Sequence, residues 1–510
     1  MTSALGGQTA VVPRVMICGL RGSTGKTLVT LGLIGSWQAR GISVASFKKG
    51  PDYIDPAWHT RAGSRPCRNL DSYLMSEEQI RRSVGRHGRG ADVTLIEGNH
   101  GLFDGVGAEA TASAAEMAKL LVTPVILLVD CTKTTRTAAA MVLGCQHMDP
   151  KLNLARVILN RVATSRQERS VLTAVEQICR LPVLGCIPRL SGLEFPERHL
   201  GLLTPAEHPA VSSPISVACE AVRTHVDLDR VRVVAESAPT LTWTEEMGTP
   251  GTTRHAVRIG VVRDSAFTFY YPENLEALER SGAEIVWLNA LTDEGLPPLD
   301  ALYIGGGYPE THAAALAANA SFRRALRREI EAGLPVIAEC GGLIYLGEAI
   351  VTGGVSHPMV GVFPVTFEVG KRPWGHGYAE VEVDGDNPFF AQGTILRGHE
   401  FSYSFARGIK AGAFPTAFRV RRGTGFDGER DGLTTKNVLA SFCHFHAAGA
   451  PEWGEAVVRQ AHLYAEQRRV SARAGTWVTS EGGMVPELAG PSITGAGAIQ
   501  RHHKNVSSIR

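Results

Sequence analysis

The segment that most constrains the fold of this chain is its glycine-rich stretch at 19–27, Gly-Leu-Arg-Gly-Ser-Thr-Gly-Lys-Thr. An apolar run at 15–17 precedes it, and an apolar helical pattern at 28–34 follows it. A strand, a glycine-rich turn and a helix in this order direct backbone N–H groups at an anion, so the stretch predicts an ATP-binding phosphate loop. Lys26 would reach the β- and γ-phosphates, and the Thr27 hydroxyl is placed for Mg²⁺. The predicted cofactor-binding residues of the loop are Gly22, Gly25, Lys26 and Thr27.

Length and charge limit the possible classes of protein. The 510 residues are enough for two or three domains, because single cores stop growing at about 250–300 residues. The 52 basic and 50 acidic residues nearly cancel, so charge gives no reason to expect a nucleic-acid or membrane partner. The nine cysteines form no Cys-x-x-Cys pair and indicate reduced thiols in a cytoplasmic protein. We therefore expect small-molecule partners.

The first half alternates apolar runs with helical patterns, which indicates a parallel sheet covered by helices on both faces. Ligands of such sheets bind at the carboxyl ends of the strands, so the residues that follow each run are the informative ones. The runs are 15–18, 44–47, 93–96, 125–129, 157–159 and 183–186.

Three carboxylates follow the second and third runs and should converge on the phosphate end of the site. Asp52, Asp55 and Glu97, together with Thr27, are the predicted Mg²⁺ ligands. Alternatively, the two aspartates only shape proline-containing turns. Asn160 follows the fifth run and could read a purine edge of the nucleotide, although a role as a solvent-facing cap is the other interpretation.

A change of pattern marks a domain boundary near the middle of the chain. Helical and strand periodicity weakens between 221 and 256, and a new α/β pattern begins at 257. We predict an ATP-binding domain at 14–235, a linker at 236–256 and a second α/β domain at 257–470. The remaining residues, 471–510, lose the apolar pattern and are predicted to be a disordered tail.

The second domain contains a turn typical of a nucleophile elbow. An apolar strand ends at Cys340-Gly341-Gly342 and a helical pattern follows, which places a thiol at a helix N-terminus, where thiolate is favoured. The backbone N–H groups of Gly341, Gly306 and Gly307 are candidate donors to an oxyanion. The other interpretation of Cys340 is a buried, inert thiol.

A thiol nucleophile needs a base, and two imidazoles late in the chain could supply it. His444 and His446 stand two residues apart in the sequence Ser-Phe-Cys-His-Phe-His. One of them is the expected partner of Cys340, and a pair of structural strand histidines is the alternative.

Taken together, these motifs resemble the cobyrinic acid a,c-diamide synthase family, glutamine-dependent amidotransferases that act on tetrapyrrole side-chain carboxylates. The resemblance runs from about residue 14 to 465. It implies an N-terminal P-loop NTPase-like parallel-sheet domain followed by a class I glutamine amidotransferase-like α/β domain. The matching segments are 47–56, 58–59, 68–72, 97–98, 101–105, 269–275, 305–310, 338–342 and 398–400.

The resemblance implies two coupled reactions. Cys340 would attack the side-chain amide of glutamine and release ammonia, with His444 as the base, because the family pattern places its histidine first in the pair. ATP and Mg²⁺ would convert a tetrapyrrole carboxylate into an acyl phosphate that ammonia displaces, with Tyr53 and Ile54 near the substrate. Related amidotransferases carry a glutamate where His446 stands, so the resemblance names no third triad member.

Alternatives remain open at the level of the sequence. Leu20 and Arg21 depart from the usual corrinoid pattern, so the substrate is either a cobyrinate-type corrinoid or sirohaem. Arg21 also stands where chromosome-partitioning ATPases have a signature lysine, which would make the first domain a dimerising ATP switch that controls a partner. A homodimer is possible under either interpretation.

Overall fold

The structure, a computed structural model, describes residues 6–107, 109–190, 197–198, 201–207, 212–245, 256–408 and 412–478. The described residues up to Ala465 form one compact unit, and the described residues from Glu466 onwards belong to a second. The last helix, Glu452–Val478, extends past position 470, where the predicted domain ends and the predicted tail begins. The rest of the predicted tail, 479–510, lies outside the described residues.

The first half is built on a parallel sheet with the strand order β4-β3-β5-β2-β6-β7-β8. The strands of the first half of the chain are β1 (Gly6–Ala10), β2 (Arg14–Gly19), β3 (Val44–Lys49), β4 (Arg68–Leu70), β5 (Val93–Glu97), β6 (Val125–Asp130), β7 (Leu154–Val162), β8 (Val183–Pro188), β9 (Glu197–Arg198), β10 (Gly201–Leu202) and β11 (Leu241–Glu245). Its helices are α1 (Lys26–Ala39), α2 (Ile54–Gly63), α3 (Glu77–Gly88), α4 (Ala114–Leu120), α5 (Arg136–Met148), α6 (Ser165–Ala174), α7 (Ser212–His225) and α8 (Leu228–Glu236).

The six predicted strands all lie in this sheet, and burial on both faces explains why they read as continuous apolar runs. In β2, Val15 and Ile17 pack into one hydrophobic cluster, while Met16 and Cys18 pack into another on the opposite face. Strand β4 was not predicted, because it is only three residues long and begins with two polar residues.

The second half contains a mixed sheet with the strand order β13-β12-β14-β15-β24-β23-β22-β19-β20-β25, and a smaller sheet ordered β17-β16-β18-β21. Its strands are β12 (Val257–Val262), β13 (Ala283–Leu288), β14 (Ala301–Ile304), β15 (Val336–Glu339), β16 (Ala349–Thr352), β17 (Val355–Pro358), β18 (Thr366–Val369), β19 (Gly375–Val383), β20 (Ile395–Ser402), β21 (Ser404–Ala406), β22 (Thr416–Arg422), β23 (Arg430–Thr435), β24 (Val438–Ser441) and β25 (His444–Phe445). Its helices are α9 (Pro272–Arg280), α10 (Ala313–Ala318), α11 (Ala320–Glu331), α12 (Gly341–Leu346) and α13 (Glu452–Val478).

Part of the predicted linker is a strand. Residues Leu241–Glu245 pair antiparallel with Gly6–Ala10, and the Trp243 side chain is buried against Gly85 of α3. Leu241 and Trp243 alternate with threonines, a pattern typical of a strand with one buried face. Burial of the apolar indole stabilises the position of this strand. Residues 246–255 of the predicted linker lie outside the described residues. Within the described part of the chain, no helix is long and apolar enough to cross a membrane.

Candidate active site

The phosphate loop connects β2 to α1, as the sequence predicts. Gly25 adopts a left-handed backbone with φ of 94°, and a Cβ there would lie 2.3 Å from Asn160 Nδ2, so both conformation and space require glycine. At Gly22 a Cβ would meet nothing within 4 Å, so space does not require glycine there. Lys26 Nζ donates to the carbonyl of His100 at 2.7 Å. The Lys26 ammonium is thus held by a backbone carbonyl from outside the phosphate loop.

Asn160 lies against this loop, but its amide is engaged within the protein. Its Nδ2 donates to the Thr24 carbonyl at 2.7 Å, and its Oδ1 accepts from the Arg161 backbone N–H at 2.9 Å. The side chain is buried and therefore holds the loop in place rather than facing solvent as a cap. One N–H of Nδ2 and one lone pair of Oδ1 are not used by these two hydrogen bonds.

Beside the loop, a buried lysine joins the predicted metal ligands. Lys48 Nζ lies 2.5 Å from Asp55 Oδ2 and 2.7 Å from Glu97 Oε1. Thr27 Oγ1 donates towards the same two carboxylates at 3.4 and 3.1 Å. Burial lowers the pKa of Lys48, but the two carboxylates more than offset this effect and raise it overall. The cluster therefore carries its own counter-ion.

The oxygens around Lys48 fit a hard divalent cation. The Asp55 and Glu97 carboxylates meet at the Lys48 ammonium, and the Thr27 hydroxyl donates towards both of them; oxygen ligands are those that Mg²⁺ prefers. Asp52 has another place: its Oδ1 accepts the backbone N–H groups of Ile54 and Asp55 at 2.8 and 3.1 Å. It thus shapes the start of α2, and burial together with Asp55 raises its pKa to about 7.

His59 also belongs to this cluster, and the sequence alone predicted no role for it. Its side chain is fully buried, with Nε2 2.8 Å from Glu97 Oε2 and Nδ1 3.5 Å from Cys67 Sγ. Burial lowers the pKa of His59, but Cys67 and Glu97 raise it to about 10. Glu97 is consequently held between two cations, and its pKa is lowered despite its burial.

A cavity of about 1420 Å³ connects the phosphate loop with the second half of the chain. On the first side it is lined by the loop, the Lys48 cluster, Tyr53 and Ile54, which are the two predicted substrate residues. On the other side it is lined by residues of β19 and β20 and by one arginine of β22: His376, Tyr378, His399, Phe401 and Arg422. Both halves therefore contribute walls to one ligand-sized space.

Cys340 occupies the turn between β15 and α12 and has the strained backbone of a nucleophile elbow. Its φ of 46° and ψ of −97° are unusual for a residue with a side chain. Its Sγ lies 3.7 Å from the carbonyl of Phe401 in β20, one of the residues that line the cavity. Burial raises the pKa of the Cys340 thiol, and Glu310 adds to the rise; both effects oppose the thiolate that a helix N-terminus would favour.

The predicted oxyanion glycines meet beside this turn. A Cβ at Gly341 would lie 3.0 Å from the backbone nitrogen of Gly307, and a Cβ at Gly306 would lie 2.4 Å from His444 Cε1. Larger side chains are therefore excluded at both positions. The close approach brings two backbone segments, 306–307 and 341, together beside the His444 imidazole.

His444 is fully buried on β25, where it pairs with His399 of β20. The two imidazole rings stack with centroids 4.8 Å apart. His444 Nδ1 lies 3.7 Å from Glu339 Oε2, and neither ring nitrogen has a hydrogen-bond partner among the described residues. His446 instead faces Glu273, with 3.6 Å between Nε2 and Oε2.

Aromatic and ionic contacts join the thiol site to the first half of the chain. Tyr53 stacks on Phe269 at a centroid distance of 4.9 Å and lies 5.3 Å from the His444 ring. Arg68 of β4 pairs with Glu273 at 3.4 Å and with Glu276 at 2.5 Å on α9. Tyr53, a predicted substrate residue, thus lies between the two reaction sites.

Comparisons with known proteins agree with this arrangement. Residues 15–203 match the family described as the CobQ/CobB/MinD/ParA nucleotide binding domain. Residues 258–452 match the family described as the CobB/CobQ-like glutamine amidotransferase domain. Together with the phosphate loop and the thiol elbow, these matches define an ATP-dependent glutamine amidotransferase of the ligase class.

Curated relatives identify the family. A cobyrinate a,c-diamide synthase of Magnetococcus marinus is 39% identical over 88% of this chain and 97% of its own length. Those of Archaeoglobus fulgidus and Salmonella typhimurium are 41% and 39% identical, over 85% and 89% of this chain and 94% and 98% of their own lengths. The chain belongs to the cobyrinate a,c-diamide synthase family.

Proposed function

We propose that this protein uses ATP and glutamine to convert the a and c side-chain carboxylates of cobyrinic acid into amides. The observation that carries this proposal is the shared cavity, which has the phosphate loop on one side and the strand next to Cys340 on the other. The relatives are cobyrinate a,c-diamide synthases, and this activity supplies the proposed acceptor.

The thiol site would release ammonia from glutamine. The Cys340 sulfur attacks the amide carbon, its proton passes to His444, and the imidazolium returns that proton to the leaving nitrogen. Backbone N–H groups of Gly306, Gly307 and Gly341 would stabilise the oxyanion. A thioester and ammonia result, and water then hydrolyses the thioester to glutamate and restores the thiol.

The phosphate site would activate the acceptor, because a carboxylate is a poor electrophile. A carboxylate oxygen of the tetrapyrrole attacks the γ-phosphorus of ATP, giving an acyl phosphate and ADP, and ammonia then displaces phosphate to form the amide. Lys26 would leave the His100 carbonyl to contact the β- and γ-phosphates. Thr27, Asp55 and Glu97 would hold Mg²⁺, which neutralises phosphate charge.

The remaining site residues would position ligands. Tyr53 and Ile54 line the cavity where the tetrapyrrole would bind, and Asp52 fixes the turn that carries them. Gly22, Gly25 and Asn160 would maintain the shape of the nucleotide loop. We assign Asp52 to this positioning role in preference to direct contact with the metal.

Mass spectrometry of reaction products tests the acceptor. The protein is incubated with ATP, Mg²⁺ and glutamine, together with either cobyrinic acid or sirohaem, and the tetrapyrrole is analysed for the small mass decrease that accompanies each carboxylate-to-amide conversion. Conversion of cobyrinic acid supports the proposal. Conversion of sirohaem alone would move the enzyme to the sirohaem amidase branch, and conversion of neither would reject both acceptors.

The alternative to an enzyme is an ATP-dependent switch that controls a partner protein. The nucleotide-binding match covers both kinds of protein, since its description includes MinD and ParA, but the amidotransferase match and the Cys340 elbow have no role in a switch. Absence of glutamine hydrolysis, with or without ATP and tetrapyrrole, would favour the switch.

Sedimentation with and without ATP tests the homodimer, and fractionation of cells tests the cytoplasmic location.

A further inference from the structure

The place of the usual triad acid is taken by a histidine in this chain, and that histidine is engaged elsewhere. His446 Nε2 lies 3.6 Å from Glu273 Oε2, and its ring packs at a centroid distance of 4.5 Å on Tyr271. Glu273 in turn pairs with Arg68 across to the first half of the chain. This group therefore belongs to the contact between the two halves, and His444 needs another partner.

Glu339, the residue before the nucleophile, is the carboxylate that faces His444. It ends β15, and its side chain is buried, with 1% of the residue exposed. Its Oε2 lies 3.7 Å from His444 Nδ1 and accepts a hydrogen bond from the Tyr303 hydroxyl at 3.1 Å. Its Oε1 accepts from the backbone N–H of Phe445 at 3.4 Å.

The chemistry of a buried carboxylate indicates what the contact between Glu339 and His444 does. A charged carboxylate in a dry interior is costly unless hydrogen bonds and a cation stabilise it. The two hydrogen bonds fix the orientation of Glu339, and the His444 ring becomes that cation whenever it takes the thiol proton. The Nδ1–Oε2 separation is slightly longer than a hydrogen bond, as is common for catalytic contacts before substrate binds.

We propose that Glu339 is the positioning residue of His444: it orients the imidazole through Nδ1 so that Nε2 faces the thiol, and it stabilises the imidazolium formed during attack on glutamine. The inference rests on the proposed amidotransferase function. The acid that related enzymes place after the histidine would here be supplied from the strand that carries the nucleophile.

Substitution Glu339→Gln tests the proposal with little change of shape. We expect glutaminase kcat to fall by up to ~10⁴-fold, the loss found when a triad acid is neutralised, with little change in KM for glutamine. Amidation driven by added ammonium chloride and ATP should persist, which shows that the variant is folded. Glu329→Gln, on an exposed position of α11, is the matched control and should equal the wild type.

A double-mutant cycle distinguishes positioning from a structural role. The rate at which a chloroketone analogue of glutamine alkylates Cys340 is compared in the wild type, Glu339→Gln, His444→Ala and the double variant. If Glu339 acts through His444, its substitution has no further effect once the imidazole is absent. Equal effects in both backgrounds would overturn the proposal.

A variant with a smaller structural change and the wild type itself complete the test of Glu339. Tyr303→Phe removes one hydrogen bond to Glu339 but leaves its charge, and we expect a several-fold loss of kcat at constant KM even if Glu339→Gln does not fold. An unchanged kcat in Tyr303→Phe together with a misfolded Glu339→Gln would overturn the proposal. A wild type without glutaminase activity rejects the proposed function itself, whereas an active wild type with a fully active Glu339→Gln rejects only the role of Glu339.

Discussion

The two reaction sites prepare their reactive groups by different physical means. Around the phosphate loop, Lys48 lies between Asp55 and Glu97, so opposite charges stabilise one another until a ligand replaces a partner. At the thiol site the backbone geometry is the distinctive feature: Cys340 has a positive φ, and His444, the imidazole proposed as its partner, is fully buried. The first site can respond to ions and phosphates, whereas the second depends on shape and exclusion of water.

Because of this difference, we expect a substitution that abolishes the activity of one site to leave the activity of the other site intact. Charged groups of the first site line the shared cavity, while the His444 ring is packed against Tyr53 and His399. A substitution that removes one chemistry therefore leaves the other measurable. The predictions below use that separation, beginning with the largest expected effect.

Replacement of the nucleophile should separate the two activities most completely. We expect Cys340→Ser to lower glutamine-dependent amidation by at least ~10³-fold, because the thioester no longer forms at a useful rate. Amidation with ammonium chloride as the nitrogen source should persist. Cys219→Ser, at a partly buried cysteine on α7, is the control; loss of the ammonia-dependent reaction in Cys340→Ser alone would contradict the separation.

Replacement of the loop lysine should have the opposite pattern. Burial and the neighbouring Lys48 lower the pKa of Lys26, and its ammonium is the group expected on the β- and γ-phosphates. Lys26→Met should lower amidation with either nitrogen source by ~10²- to 10³-fold, as for loss of one strong transition-state donor. Basal glutaminase activity should remain. Lys151→Met, at an exposed lysine, serves as the control.

Removal of the internal counter-ion should make the first site more sensitive to divalent cations. Lys48→Met leaves two carboxylates without their buried cation and should cost about 3 kcal/mol of unfolding free energy. Mg²⁺ without ATP should recover more stability in this variant than in the wild type, because it can take the vacated position. Thermal unfolding with and without Mg²⁺ measures the difference, and equal shifts in the two proteins would reject this interpretation.

Arg68 tests the connection between the sites and should give the smallest effect. Its guanidinium pairs with Glu273 and Glu276, so Arg68→Ala should lower the urea midpoint by the equivalent of about 2 kcal/mol. Each separate activity should survive. Arg86→Ala, on α3, is the control; an unchanged midpoint in Arg68→Ala would show that these pairs do not stabilise the contact.

Much of this architecture was predictable from the sequence. The six apolar runs, the glycine-rich loop and the Cys340 turn predicted two α/β regions, and the fold, the enzyme class and the family are confirmed. These features are local, because a strand followed by a glycine-rich turn and a helix depends on neighbouring residues. The predicted roles of the individual site residues remain predictions.

What the sequence did not reveal depends on contacts between distant segments. His59 reaches Glu97, Tyr53 reaches Phe269, and Glu339 reaches His444, each over tens of residues or more along the chain. No spacing rule encodes such contacts. Glu339 was visible as the neighbour of Cys340, but its pairing with Ser441 and the 3.7 Å between its Oε2 and His444 Nδ1 come from the fold.

The most direct test of the coupled account follows nitrogen from one site to the other. The protein is supplied with ATP, cobyrinic acid and glutamine labelled with ¹⁵N in its side-chain amide, and the product is analysed by mass spectrometry. The account predicts ¹⁵N at both the a and c side chains, with ADP formed in proportion to amide, and no label in product from Cys340→Ser. Glutamine hydrolysis and ATP cleavage without ¹⁵N in the tetrapyrrole would contradict it.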